Sequence, residues 1–579
     1  MKTRIISIIL LCALCFSLAA CGSGGEKSSV SAQETSATEA PAQETSPEAS
    51  SASEPTPEAT EETPAEEATG FVPVQLPLTD SAEELSLWLR LSPFLMMYNV
   101  TDLSKATFYA EMEKRTGVVV NVTSVPIFMA NEQFNFMMAG GELPDMIDSF
   151  ALLYPQGVDH AVDEGLILDM NDFLHDWMPN YEHALTLNPQ FTQDSLSAEG
   201  RLTHANTLFI EDEGVTVGMF IRRDWLDKLD MDLPVTYDDY YETLTAFKTE
   251  LGKSGAFDIM YQGCTVNITG GYETVAFYTE DEETLPFMNI DGVASFGPIN
   301  DGYRKYLETM AKWFDEGLLF QDYMTDTNRS TMMEAGICSD EIGLFTPNRD
   351  DLSRFHASVR TIDPDATLGG AYDMRATEDQ EIHVRYPSQT IIYGIAISGQ
   401  CKNVELAAKW LDYCYSEEGT ILCNYGVEGE GLQYDENGNP EYTDLVLHNP
   451  EMSSIACCAI YSKYGGAMLC YGRRNFGAYD QDVLDLSDFW EESGDYDYVY
   501  PAKAGMTTEE SEEISSYMAE IRSYVIESTN KFITGGEPLN DETWATYVQT
   551  LKDLGVDRVV ELKQAALDRY TALGEKLAA

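Results

Sequence analysis

The chain has 579 residues, 98 of them acidic against 35 basic, for a formal net charge of −63, and 44% of its residues are hydrophobic. A field of that sign repels phosphates and excludes nucleic acid as a partner, while the apolar content excludes disorder throughout. So long a chain exceeds what one hydrophobic core usually supports, so two lobes are expected.

Lys2 and Arg4 precede an apolar run at residues 5–16 that is too short to cross a bilayer and ends in small residues, so residues 1–20 read as a signal peptide. The run closes on Leu18-Ala19-Ala20-Cys21-Gly22. Small residues before a cysteine, with glycine after it, resemble the lipobox of bacterial lipoproteins. The resemblance implies acylation of Cys21 and anchoring at the extracellular face of the bacterial cell membrane, because two or more acyl chains hold a protein there stably. From 22 to 70 the chain is mostly Ser, Thr, Ala, Pro and eleven Glu. Such a composition cannot offset its conformational entropy, so residues 21–80 are expected to be a disordered tether. No later stretch approaches eighteen consecutive apolar residues, so no second span is expected.

Leu85-Ser86-Leu87-Trp88-Leu89 alternates as a strand, followed by a loop over 92–99. Residues 102–115 read as a helix ending at Thr116-Gly117, and Val118-Val119-Val120-Asn121-Val122 as a buried strand. A helix over 131–139 stops at Gly140-Gly141, and 143–147 forms a third strand. This β-α-β-α-β order predicts an α/β lobe with a mainly parallel sheet. Ligands on such sheets sit outside the carboxyl ends of the strands, which makes Ser92, Tyr98, Ser149 and Phe150 candidate contacts. Beyond the signal peptide and Cys21 eight cysteines remain, none in a C-x-x-C pair or near a histidine at ligand spacing, so no zinc site is expected. Disulfides and buried thiols are both open outside the cytoplasm.

Several blocks then point one way. Thr116-Gly117-Val118-Val119-Val120 and Gly141-Glu142-Leu143-Pro144-Asp145 are followed by Phe220-Ile221-Arg222-Arg223-Asp224-Trp225-Leu226. Trp313-Phe314-Asp315-Glu316-Gly317-Leu318 and Tyr393-Gly394-Ile395-Ala396-Ile397-Ser398 come later, in the same order. Together they resemble the extracellular solute-binding proteins of family 1, in the large Gram-positive lipoprotein branch that serves carbohydrate ABC transporters. The resemblance implies a two-lobed, class II periplasmic-binding-protein-like α/β fold with an interlobe ligand cleft, a hinge and a helical C-terminal region. The first lobe would hold 81–205 plus about 390–455, and the second 206–389 plus about 456–579. It further implies capture of an oligosaccharide and delivery to ABC permease subunits, by a monomer, without catalysis. The alternative is the same fold binding a peptide or other non-sugar solute, or partnering a sensor kinase. The negative field favours neutral over uronic-acid sugars.

Sugar binding needs flat aromatic faces and planar polar groups. Arg222 leaves a strand end and can fork onto hydroxyls. Trp490 sits in an acidic stretch that reads as irregular, Tyr272 and Tyr372 follow glycine pairs, and Asn348 and Arg349 follow the strand at 342–345. Loop positions of this kind favour binding, so all six are ligand candidates. Asp224 is expected to cap the helix that follows it, and Trp225, Trp313 and Trp410 are expected in the core. There is no H-E-x-x-H, G-x-S-x-G or Walker loop. Asp435-Glu436-Asn437-Gly438-Asn439 hints at a calcium loop but has Gly at position four and Val446 at twelve, where Glu is required. Asn437-Gly438 instead predicts a hairpin turn. No cofactor is expected; some members of the branch carry a structural calcium, but no motif here supports one.

Overall fold

The computed structural model describes residues 70–578 apart from 82, 93–94, 97, 212–213, 260–265, 277–285, 325–334, 386–390 and 473–480. Cys21, with the signal segment and most of the tether, lies outside the described residues.

The strands in chain order are β1 (Glu83–Leu91), β2 (Val118–Pro126), β3 (Met146–Asp148), β4 (Ala205–Phe209), β5 (Met219–Arg222), β6 (Phe287–Ile290) and β7 (Val293–Phe296). They continue with β8 (Leu344–Phe345), β9 (Leu368–Ala371), β10 (Ile391–Ile397), β11 (Leu432–Tyr434), β12 (Pro440–Tyr442) and β13 (Met468–Cys470). The first lobe is built on a six-stranded sheet of order β13-β4-β10-β3-β1-β2. Its opening follows the expected β-α-β-α-β order. Helices Thr107–Thr116 and Ile127–Gly140 connect β1, β2 and β3, and they end on Gly117 (φ 75°) and Gly141 (φ 71°). Both glycines take the left-handed conformation that closes a helix at little steric cost.

Strand direction decides where a ligand can meet this sheet. β1 is parallel to β2 and β3, and β13 is parallel to β4. Only β10 is antiparallel to its neighbours β3 and β4. β10 carries the chain back into this lobe, so it starts at the edge where the parallel strands end. Along β1, Leu85, Leu87, Leu89 and Leu91 bury into one core with Met146 and Trp410. Trp88 points the other way, to Phe134, Ile147 and Phe150, as the two-residue period of a strand requires.

The second lobe carries a three-stranded sheet, β8-β5-β9, with β5 antiparallel to both partners. The chain enters β5 from β4 across residues 210–218, so Met219 lies at the crossing end and Arg222 at the far end. Trp225 and Trp313 are buried in its core, with Ile521, Val525, Tyr547 and Val559 from helices Thr508–Ile533, Asp541–Asp553 and Val556–Ala578. The last of these also reaches the first lobe. Gln193 Nε2 donates to the Tyr570 carbonyl at 2.9 Å, and the Tyr570 hydroxyl donates to Asp194 at 2.5 Å.

Three expected boundaries move. Phe71, Val74, Leu76 and Leu78, assigned above to the tether, pack on the first-lobe core. β4 continues the first sheet to residue 209. Helix Ser454–Tyr461 and β13 also belong to the first lobe, with Ala456, Met468 and Leu469 in its core. A three-residue strand is too short to show a period, so its pairing with β4 leaves no sequence trace. The expected hairpin turn does form: β11 pairs with β12, and Asp435 Oδ1 accepts from the backbone of Asn437 and Asn439 at 2.8 and 2.7 Å. The Asn439 side-chain amide, which donates to Asp435 Oδ2 at 2.9 Å, together with these backbone bonds holds the Asp435 carboxyl down at about 2.

Candidate functional site

At the carboxyl ends of the first sheet lies a cavity of about 300 Å³. Arg90 from β1, Asp148 and Ser149 from β3, Thr207 from β4 and Tyr464 before β13 line it. Two other hollows, at residues 99–106 and between 308–315 and 532–539, meet no strand end of either sheet.

The floor is a connected polar network. Arg90 Nε donates to Asp148 Oδ2 at 3.1 Å and Nη2 to Ser149 Oγ at 2.5 Å, while Ser149 Oγ donates to Asp148 Oδ1 at 3.1 Å. Burial pushes the Asp148 carboxyl up and the Arg90 guanidinium opposes it. The Ser149 backbone is left-handed (φ 51°) and its N–H donates to the Gly394 carbonyl at 2.7 Å. A non-glycine residue in that conformation stores strain that the surroundings must hold. His204 helps: its Nε2 accepts from the Ala151 N–H at 3.2 Å, just beyond Ser149. To do so the ring must be neutral, and burial lowers its pKa to about 3. Thr207 Oγ1 donates to the Gly466 carbonyl. Burial raises the Tyr464 phenol, whose hydroxyl bonds Ser92. The arrangement offers one aromatic face and a fork of charge-assisted donors and acceptors.

The sequence candidates separate by place. Ser149 lines the cavity, and Ser92 sits behind it through Tyr464. Tyr98 is half-buried against the first-lobe core. Phe150 is fully buried with Phe134 and Tyr154, so its ring presents no face to a ligand. Arg222 is buried as well: Nε bonds Asp224 at 2.7 Å, Nη1 bonds Asp340, and the guanidinium lies 4.6 Å from the Trp225 ring. Asp224 thus serves as the partner of Arg222 in the first turn of helix Arg223–Leu229 and makes no cap bond. Tyr272 stacks on Tyr237 at 4.0 Å and bonds Thr309. Arg349 is buried and donates to Ser487 Oγ at 2.9 Å. Asn348 bridges Val217 and Tyr372 packs on Phe489, both at the crossing end of the second sheet. Trp490 lies on helix Gln481–Glu491 and not in a loop; its indole covers Gly218, stacks on Phe220 and donates to the Met219 carbonyl at 3.2 Å. Burial commits it to the core.

Arg90, Thr207 and Tyr464 were not singled out from sequence. A basic residue ending an apolar strand in so acidic a chain was the available signal for Arg90, and the Gly465-Gly466 pair, both at positive φ, for Tyr464. On the second lobe, Asp373 and Arg385 are both buried near the crossing and coupled electrostatically, and Asn267 donates to Asp373. Among the described residues one group of side chains is arranged as cation ligands are: His383, Asp495 and Asp497 place ligand atoms within 4.8 Å of one another. None of the three lines the cavity.

A two-lobed body with a polar cavity at the carboxyl ends of its first sheet is the architecture of a solute-binding protein. Residues 99–421 match the model of the bacterial extracellular solute-binding protein family, and the chain belongs to that family. These are binding proteins and not enzymes. The chain is 22% identical to the fructooligosaccharide ABC transporter substrate-binding protein FusA of Streptococcus pneumoniae serotype 4, over 81% of this chain and 88% of that protein. It is 28% identical to lipoprotein LipO of Bacillus subtilis strain 168, over 62% and 70%. Among solved structures it resembles an HMO-binding, ABC-transporter-associated solute-binding protein from Bifidobacterium longum infantis. That likeness has a TM-score of 0.69 and 19% identity, and covers 85% of this chain and all of the other.

Proposed function

We propose that this protein is the membrane-anchored receptor of a sugar importer, which captures an oligosaccharide between its lobes and passes it to an ABC permease. The observation that carries the reading is the Arg90–Asp148–Ser149 network opening into a cavity of about 300 Å³ beside Tyr464. Forked donors and acceptors match the paired hydroxyls of a sugar ring, and the phenol supplies a flat face for its C–H side. The names of FusA and of the Bifidobacterium protein support the same substrate class.

Asp373, Arg385 and Asn267 supply the polar wall on the second lobe, and closure brings it onto the ligand. Acylation of Cys21 anchors the protein outside the cell as a monomer; the name of LipO supports the lipoprotein assignment, and no described helix is long and apolar enough to cross a membrane. Incorporation of a palmitate analogue that is lost on Cys21→Ala tests the anchor, and label retained by that variant overturns it. A thermal-shift screen of a chain beginning at residue 70 tests the cargo, using neutral and acidic oligosaccharides and peptides. A ligand at 100 times its Kd adds about 2.7 kcal/mol, a shift of a few degrees. A shift with one glycan class is expected. A shift with peptides alone overturns the sugar reading.

A further inference from the structure

Resting on the oligosaccharide reading, we propose a second sugar-contacting surface outside the cavity, an apolar shelf at its rim with Phe128 as the stacking platform. The shelf is the first turn of helix Ile127–Gly140 together with Leu152. Both pieces of chain rise directly from the cavity lining. The helix begins where β2 ends, and Ile127 itself lines the cavity. Helix Phe150–Leu153 begins one residue after Ser149, which also lines it, and Leu152 N–H donates to the Ser149 carbonyl at 3.0 Å. The two helices touch.

Ile127, Phe128, Met129 and Leu152 are 44%, 68%, 37% and 56% exposed. The fold does not need them outside. The inner face of the longer helix is already complete, with Ala130, Phe134, Met137 and Met138 packed against Trp88 and Ile147. Nor is the outer face solubilised in the usual way: 23% of the chain is charged, yet Glu132 is the only charged side chain in this helix of 14 residues. Exposed apolar side chains grouped on two touching helices that rise from a polar cavity mark an interaction site.

The cavity indicates what covers it. At about 300 Å³ it is at the small end for ligand pockets, so a glycan of more than a few units must continue over the rim. The C–H faces of sugar rings carry partial positive charge and suit the negative face of an aromatic ring, while their hydroxyls stay in water. Such contact strengthens with chain length, so the shelf selects for longer oligosaccharides over their short homologues.

The test is calorimetric titration of the chain beginning at residue 70 with fructo-, malto-, manno- and xylo-oligosaccharide series from two to six units. Wild type is compared with Phe128→Ala, Phe128→Trp and, as a control at the far end of the helix, Phe136→Ala. Phe128→Ala is expected to weaken five- and six-unit chains about two- to tenfold, in line with one aromatic contact, and to leave the shortest bound chains within twofold. Phe128→Trp should restore the preference and Phe136→Ala should change nothing. A loss equal at every length, no loss at any length, or a matching loss from Phe136→Ala overturns the shelf and leaves the cavity reading intact. Failure of wild type to bind any member of the four series overturns the oligosaccharide reading and the shelf with it.

Discussion

Two arginines, Arg90 one residue before the end of β1 and Arg222 at the end of β5, each pair with an aspartate; Arg90 lines the cavity and Arg222 does not. Arg90 lies in β1, parallel to its neighbours, and meets Asp148 at 3.1 Å with its side chain 20% exposed. Arg222 ends β5, antiparallel to its neighbours, and meets Asp224 at 2.7 Å with its side chain fully buried. The chemistry is the same and the direction differs. In the first sheet the parallel strands end at the cavity, which Arg90 lines; β5 runs from the crossing toward Arg222, which is not among the residues lining that cavity.

Four experiments sharpen that contrast, ordered by expected effect on stability. Trp490→Ala should cost most, about 3–5 kcal/mol in urea unfolding, because it empties the space over Gly218 and Phe220; ligand affinity of the folded fraction should not change. Arg222→Ala should cost about 3 kcal/mol, since it strips the buried Asp224 of its main partner. It too should leave affinity alone, and a loss of binding would break the contrast.

His204 gives an intermediate effect with a sign. Its folded pKa is depressed to about 3 from an ordinary 6.5, mainly by burial. The unfolded chain therefore takes up the proton first as pH falls. The stability from the neutral ring is fully present above about pH 6.5 and drains away between there and pH 3, with about 2 kcal/mol lost by pH 5. Unfolding at pH 7 and pH 5 should show that loss, and His204→Asn should flatten it. Arg90→Ala should disturb the fold least, about 1 kcal/mol, because Asp148, already pushed toward its neutral form by burial, can keep a proton once the guanidinium is gone. Its effect on binding should be the largest of the set.

The first lobe was legible because its elements are long and their periods clean. Alternating leucines gave β1, and Gly117 and Gly141 marked helix ends. The family blocks carried the two-lobed fold. Where the candidate side chains lie was read less well, and for physical reasons. Strand ends could be located, but the direction of β5 depends on non-local pairing that no local pattern encodes. The helical period around Trp490 was present, with Val483, Leu486 and Ser487 on its buried face, but the acidic residues between them masked it. Tyr272 after Gly270-Gly271 looked like an exposed loop aromatic; Gly271 instead allows close approach of the Met374 and Arg375 backbone, Gly270 lies against Ile382 and Val384, and the ring stacks on Tyr237. Ser149 was reached because it follows a strand whose direction was correctly inferred.

The most direct test is one side-by-side titration: wild type, Arg90→Ala and Arg222→Ala against a glycan that raises the melting temperature of wild type. Loss of the charge-assisted bonds at the cavity floor should weaken Arg90→Ala at least tenfold, while Arg222→Ala, once folded, stays within twofold of wild type. Binding that survives Arg90→Ala and is lost with Arg222→Ala would place the site at the wrong sheet end and contradict the account.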